Sequence, residues 1–143
     1  MSSSSFPDIN VWLAILLEDH IYRSEALTWL PNTTDEVIGF SRLTQMGVLR
    51  LLSTAAAMNG RPLSMRGAWR AYEKLFEDDR VALLAEPQGL DPSFRTQTSA
   101  GNASPKLWAD AYLLAFATAH DGVLVTFDRA LAKRAGKCAL LLH

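Results

Sequence analysis

Two periods of apolar and polar residues alternate along the chain. Short runs rich in Val, Ile, Leu and Phe stand at 36–40, 81–85, 123–127 and 138–142, and between them apolar residues recur three and four positions apart. Strand-like runs separated by helix-like ones predict β-α units closing a mostly parallel sheet. A short first strand ends near Asp8, and Asn10 caps a helix whose face is Val11, Leu13, Ala14 and Leu17. A second helix covers 21–30 and is broken by Pro31, Asn32, Thr33 and Thr34; the strand at 36–40 then leads into a helix over 42–57, ended by Asn59, Gly60 and Pro62. The next helix, 64–78, carries the stripe Ala68, Tyr72, Leu75 and Phe76 before the strand at 81–85. Residues 91–104, rich in Ser, Thr, Gln and Gly, predict a short helix and a mobile loop. Ser104 and Pro105 predict a helix start, with the helix running to His120. Gly122 stops it, a strand follows at 123–127, a short helix at 129–135 ends at Gly136, and a last strand covers 138–142. The expected order is βααβααβ(α)αβαβ.

Composition narrows this further. At 143 residues, with 49% hydrophobic and 20% charged residues, one domain spanning 1–143 is expected, and a core can form without disulfides or a structural metal. Fourteen basic against fifteen acidic residues leave a net charge of -1. Bulk charge therefore does not draw the chain to a polyanion, and any phosphate-binding surface is local. A single cysteine, Cys138, fits a reducing compartment. The start lacks a secretion signal, and no stretch approaches the ~18 apolar residues that cross a membrane. The expectation is a cytoplasmic protein.

Three aspartates stand out. Asp110 shares a helical face with Leu107, Leu113, Leu114 and Ala117, where an unpaired carboxylate costs several kcal/mol to bury. It must be protonated, neutralised at a metal cleft, or paired with a cation, most simply Lys106 one turn earlier. Asp8 and Asp128 each follow a strand directly, at the edge where parallel sheets bind ligands. Each alone reads equally well as a helix N-cap. Three converging carboxylates suit hard divalent ions such as Mg²⁺ or Mn²⁺, and a metal so held activates water for attack on a phosphodiester.

Four stretches carry a family resemblance: the run from Pro7, Asp8, Ile9 and Asn10 to Ala14; that from Phe40, Ser41, Arg42, Thr44, Gln45 and Gly47 to Leu52; that from Ser104, Pro105, Lys106, Trp108 and Asp110 to Leu113; and Val125, Thr126, Phe127, Asp128. In this order, over nearly the whole chain, they resemble a PIN domain, and more narrowly the VapC ribonuclease toxins of type II toxin-antitoxin modules. The resemblance implies a three-layer α/β/α sandwich that cuts RNA with Mg²⁺ or Mn²⁺ in an acidic cleft, pairs as a homodimer and is silenced by a cognate antitoxin. Asp8, Asp110 and Asp128 fall on the family's metal-site acids, and Thr126 on its small polar position beside the last acid. Many members carry a glutamate early in the helix after the second strand, where this chain has Gly47; Arg42 and Gln45 are the nearby polar residues able to reach water or substrate phosphate. Serines 2–5 replace the usual apolar residues of the first strand and predict that it frays.

Lys106 and Arg129 are the preferred contacts to the RNA backbone, with Asn10 beside the first acid. His20, His120 and His143 show no metal-ligand spacing, and Trp12 and Trp108 lie in apolar stripes that predict core packing. No Ser-His-Asp order, phosphate loop or Cys-X-X-Cys pair is present. The alternative from another class is a catalytically weak PIN-fold module that keeps antitoxin or RNA binding. A phosphatase of the haloacid dehalogenase type needs an acid two residues after Asp8, where Asn10 stands.

Overall fold

The structure, a computed structural model, describes residues 3–143; Met1 and Ser2, and with Ser2 part of the serine run, lie outside it. Five strands, β1 (Ser4–Pro7), β2 (Val37–Phe40), β3 (Val81–Leu83), β4 (Val123–Thr126) and β5 (Ala139–Leu141), make one sheet of order β3-β2-β1-β4-β5. Every pairing is parallel. The helices among the described residues are α1 (Ile9–Leu16), α2 (Arg23–Asn32), α3 (Arg42–Leu52), α4 (Met65–Lys74), α5 (Leu90–Gln97), α6 (Leu107–Ala119) and α7 (Arg129–Ala135).

Strand periodicity sends alternate side chains to opposite faces. Ile38 and Phe40 of β2 pack with Trp12 of α1, Val48 and Leu52 of α3 and Tyr72 of α4. Phe6 of β1 and Leu124 of β4 instead join Leu113 and Phe116 of α6, Leu90 of α5 and Leu131 of α7. Two cores on one sheet make the three-layer α/β/α sandwich, as expected from the resemblance. Trp12 stacks on Phe40 with centroids 4.1 Å apart, and Phe6 meets Phe116 edge-on at 5.5 Å. The Phe6 ring fits because its neighbours are glycines: a Cβ at Gly39 would lie 2.5 Å from its Cε1, and one at Gly122 2.6 Å from its Cε2.

Several local expectations are corrected. The serine-rich first strand does not fray but is central, paired with β2 and β4. Its backbone is bonded on both sides, and the hydroxyl of Ser5, only 3% exposed, donates to the Asp35 carboxylate. Helix α1 is capped by Asp8, not Asn10. Helix α3 ends at Leu52, short of 57, because the Ser53 and Thr54 hydroxyls bond back to the carbonyls of Leu49 and Arg50, both at 2.6 Å; a 3₁₀ turn follows at Ala55–Met58. Pro31 lies inside the last turn of α2, where its missing N–H costs one bond at most. Helix α6 begins at Leu107, whose N–H reaches the Ser104 carbonyl at 3.0 Å, so the Ser104 side chain does not cap it.

Arg80, just before β3, pairs with Asp78 at 2.7 Å and donates to the carbonyls of Leu30 and Thr33 at the end of α2. Its hydrogen bond holds the Asp78 carboxyl below the usual range. A depressed folded value adds stability that is complete above the unfolded value and is lost as pH falls through the folded one. Urea unfolding of Arg80→Ala is expected to show a loss of about 1–3 kcal/mol at neutral pH, with the gap to the parent narrowing in acid.

Candidate functional site

The strand order reverses between β1 and β4, with β2 and β3 on one side and β5 on the other. In open parallel sheets a crevice forms at the carboxyl ends where this happens. The register Phe6 to Leu124 and Pro7 to Val125, extended by a 2.9 Å bond from the Asp8 N–H to the Val125 carbonyl, sets Asp8 level with Thr126. Thr126 is completely buried. Its hydroxyl donates to Asp8 Oδ2 at 2.6 Å and accepts the Asp128 N–H at 3.0 Å. Asp8 Oδ1 accepts the Val11 N–H at 3.0 Å, and Asp128 Oδ1 accepts the Leu131 N–H at 3.1 Å. Both aspartates are therefore true N-caps, and each uses one carboxylate oxygen to start its helix.

Asp110 projects from the first turn of α6, half-buried. Burial raises the Asp8 carboxyl above its ordinary value, against the Thr126 and Val11 hydrogen bonds, and Asp110 adds to the rise. Burial likewise raises Asp110, Asp128 raises it further, and Arg134 of α7 opposes both. The three carboxylates thus form one repelling chain, Asp8 to Asp110 to Asp128. None is in a salt bridge among the described residues. The alternative reading of Asp110, a salt bridge to Lys106, is not found among the described residues, and the cation that acts on Asp110 is Arg134, which also ties α7 to the Gln97 carbonyl.

Among the described residues, no three His, Cys, Asp or Glu side chains are gathered closely enough to enclose a metal ion. The donor set is nonetheless oxygen-only, and among the described residues none of its acids is in a salt bridge. It fits a hard divalent ion that keeps most of its water, rather than a closed cage.

The remaining candidates divide. Asn10 lies beside Asp8, and its Oδ1 meets His20 Nε2 at 3.1 Å. Arg42 donates to Gln45 Oε1 at 2.6 Å, and the buried Gln45 donates to the Tyr72 hydroxyl at 3.3 Å, so these two bond within the α3–α4 layer and not to an aspartate. Lys106 and Arg129 are exposed, Arg129 next to Asp128 at the start of α7. Gly47 faces α1: a Cβ there would lie 2.2 Å from Ile9 Cδ1, so any side chain at 47 displaces Ile9. Trp12 is a core residue, but Trp108 is 58% exposed. It sits in the first turn of α6, edge-on to Phe94, lining a cavity of about 480 Å³ under the 98–107 loop.

A reversal point in a parallel sheet, with an acid just after each of β1 and β4 and a third in the first turn of α6, defines the class. The PIN domain matches residues 5–137, and the chain belongs to the PIN-domain family. Within it the chain is VapC-like. It is 40% identical over 134 residues to Ribonuclease VapC41 of Mycobacterium tuberculosis, covering 90% of this chain and 92% of that one. It is 33% identical over 142 residues to Ribonuclease VapC44 of the same species, covering 95% and 94%. Two solved structures share the fold: FitAcB from Neisseria gonorrhoeae (TM-score 0.62, 18% identity, 95% of this chain and 96% of that one) and PAE2754 from Pyrobaculum aerophilum (TM-score 0.61, 21% identity, 96% and 83%).

An acid whose folded value is raised is least costly when protonated, so its destabilising charge is absent below the unfolded value, grows as pH rises from the unfolded to the folded value and is complete above it. Thermal unfolding at neutral pH is expected to show Asp110→Asn with a higher Tm than the parent, with the difference vanishing in acid. Thr126→Val keeps the shape of the side chain but strands the Asp8 carboxylate and the Asp128 N–H. A loss of about 1–3 kcal/mol in urea is expected.

Proposed function

We propose that this chain is a metal-dependent endoribonuclease, the toxin of a type II, VapBC-like toxin-antitoxin module, acting in the cytoplasm. The observation that carries the reading is the Asp8–Thr126–Asp128 bridge across the reversal point, with Asp110 set against it and, among the described residues, none of the three in a salt bridge. The relatives named ribonucleases support it. Asp8 and Asp110 would hold Mg²⁺ or Mn²⁺, with Asp128 completing the acidic group or orienting a water. Such an ion supplies charge for phosphate oxygens and acidity for a bound water. Thr126 holds the Asp8 carboxylate in place, and Asn10 supports the loop beside it. Lys106 and Arg129, exposed next to the acids, are placed to meet the RNA backbone. Arg42 and Gln45, already bonded to each other and to Tyr72, support packing.

The partner reading rests on a second surface. Met46 of α3 and Met65 and Trp69 of α4 are exposed and line a groove of about 320 Å³ together with Arg50. An apolar trough edged by Arg50, with Arg66 and Arg70 exposed on the same helix as Trp69, fits an amphipathic segment with acidic flanks, here that of the cognate antitoxin. A homodimer of the chain accompanies this reading.

Purified protein is expected to cleave structured RNA with Mg²⁺ or Mn²⁺, and EDTA to stop it. Asp8→Asn keeps a helix cap and is expected to abolish cleavage; full activity in that variant would refute the mechanism. Mn²⁺ is also expected to raise the parent's Tm more than that of Asp110→Asn. Metal-induced stabilisation without any cleavage would favour the binding module instead.

A further inference from the structure

Sequence reading assigns no chemistry to His20, yet its ring is held at the rim of the acidic crevice by bonds on both nitrogens. The Tyr22 backbone N–H lies 3.0 Å from His20 Nδ1. A backbone N–H only donates, so Nδ1 accepts, and the neutral ring carries its proton on Nε2, facing Asn10 Oδ1 at 3.1 Å. Asn10 in turn directs its backbone N–H at the Asp8 carboxylate. Two further rings complete an aromatic cluster, in which His20 and Tyr22 lie 6.1 Å apart, tilted by 45°. Tyr22 stacks on Phe127 with centroids 4.6 Å apart and planes within 24°, and His20 lies 6.4 Å from Phe127 at 28°. Phe127 immediately precedes Asp128 in the chain.

These rings belong to neither core cluster. Tyr22 is 40% exposed although one face is covered by Phe127. A stacked pair of rings kept outside the core, Tyr22 on Phe127 with His20 at its edge, with surface left in water and fastened to the residues that carry Asp8 and Asp128, is a platform for another flat ring.

We propose that Tyr22, backed by Phe127 and oriented through His20 and Asn10, stacks an unpaired nucleobase of the RNA next to the phosphate that is cut. The proposal rests on the nuclease reading above. Tyr22 is here a substrate-binding residue; His20 and Asn10 are positioning residues.

The test uses the purified protein and an RNA stem-loop whose loop contains the cleaved bond. Tyr22→Leu is expected to raise KM about 5- to 150-fold, the loss typical of one base–aromatic stack, with kcat little changed. Tyr22→Phe and Tyr22→Trp are expected to restore KM. An abasic residue is walked through the unpaired positions flanking the cut. At one position it is expected to raise the parent's KM by the same factor and to leave Tyr22→Leu without further effect. The abasic series needs no variant to fold, so tolerance at every flanking position overturns the stacking site even if Tyr22→Leu is unstable, and the Tyr22→Phe and Tyr22→Trp variants then carry the assignment to Tyr22. A parent that cleaves the stem-loop while tolerating abasic residues at every flanking position overturns the stacking site and leaves the nuclease reading intact. A parent that cleaves no RNA with Mg²⁺ or Mn²⁺ overturns both.

Discussion

One buried hydroxyl joins the two halves of the crevice. Thr126 closes β4, donates to the carboxylate that follows β1 and accepts the N–H of the residue that starts α7. Its position between adjacent central strands makes both bonds geometrically possible, and its complete burial shields them from competing water. A valine would fill the same space and satisfy neither group. The orientation of Asp8, and through it of the acidic group, depends on this contact more than on any apolar packing nearby.

Charge of one sign gathers here at a cost that the architecture partly offsets. Helices in a parallel α/β fold run back against the strands, so the N-termini of α1, α6 and α7 all face the carboxyl edge of the sheet. Asp8 and Asp128 cap two of them and Asp110 lies in the first turn of the third. Partial positive charge at each N-terminus favours a carboxylate there. It does not cancel the burial and mutual repulsion that push Asp8 and Asp110 upward. A capping role and a ligand role are therefore compatible, since an N-cap occupies one carboxylate oxygen and leaves the other to be directed elsewhere.

The element order, both central strands and the position of each aspartate at a strand end or on a helical face were legible in the chain, because strand and helix periods and capping residues are local properties. Gly122 and Gly136 marked ends correctly for the same reason. The misjudged places depend on partners distant in sequence. Ser5 reads as a weak strand residue until Asp35, thirty positions away, accepts its hydroxyl. Trp108 reads as core because its stripe is apolar, but in the first turn of α6 it is covered edge-on by Phe94 of α5 and otherwise left exposed. Lys106 is the simplest salt-bridge candidate for Asp110 at helical spacing, one of three readings of that acid, whereas Arg134 is the opposing cation, brought in from a separate helix.

From sequence alone came the alternation of strands and helices, the parallel sheet it implies and the three acids on three separate segments, all of which follow from residue type and spacing. Tertiary structure alone decided that Thr126 ties Asp8 to Asp128, that Gly47 makes room for Ile9, and that Phe127 meets His20 and Tyr22 at the crevice. The contacts Thr126–Asp8, Gly47–Ile9, Phe127–His20 and Phe127–Tyr22 link residues from 38 to 118 positions apart, read from their numbers in the chain, and no local preference encodes which distant groups will meet once the sheet has closed.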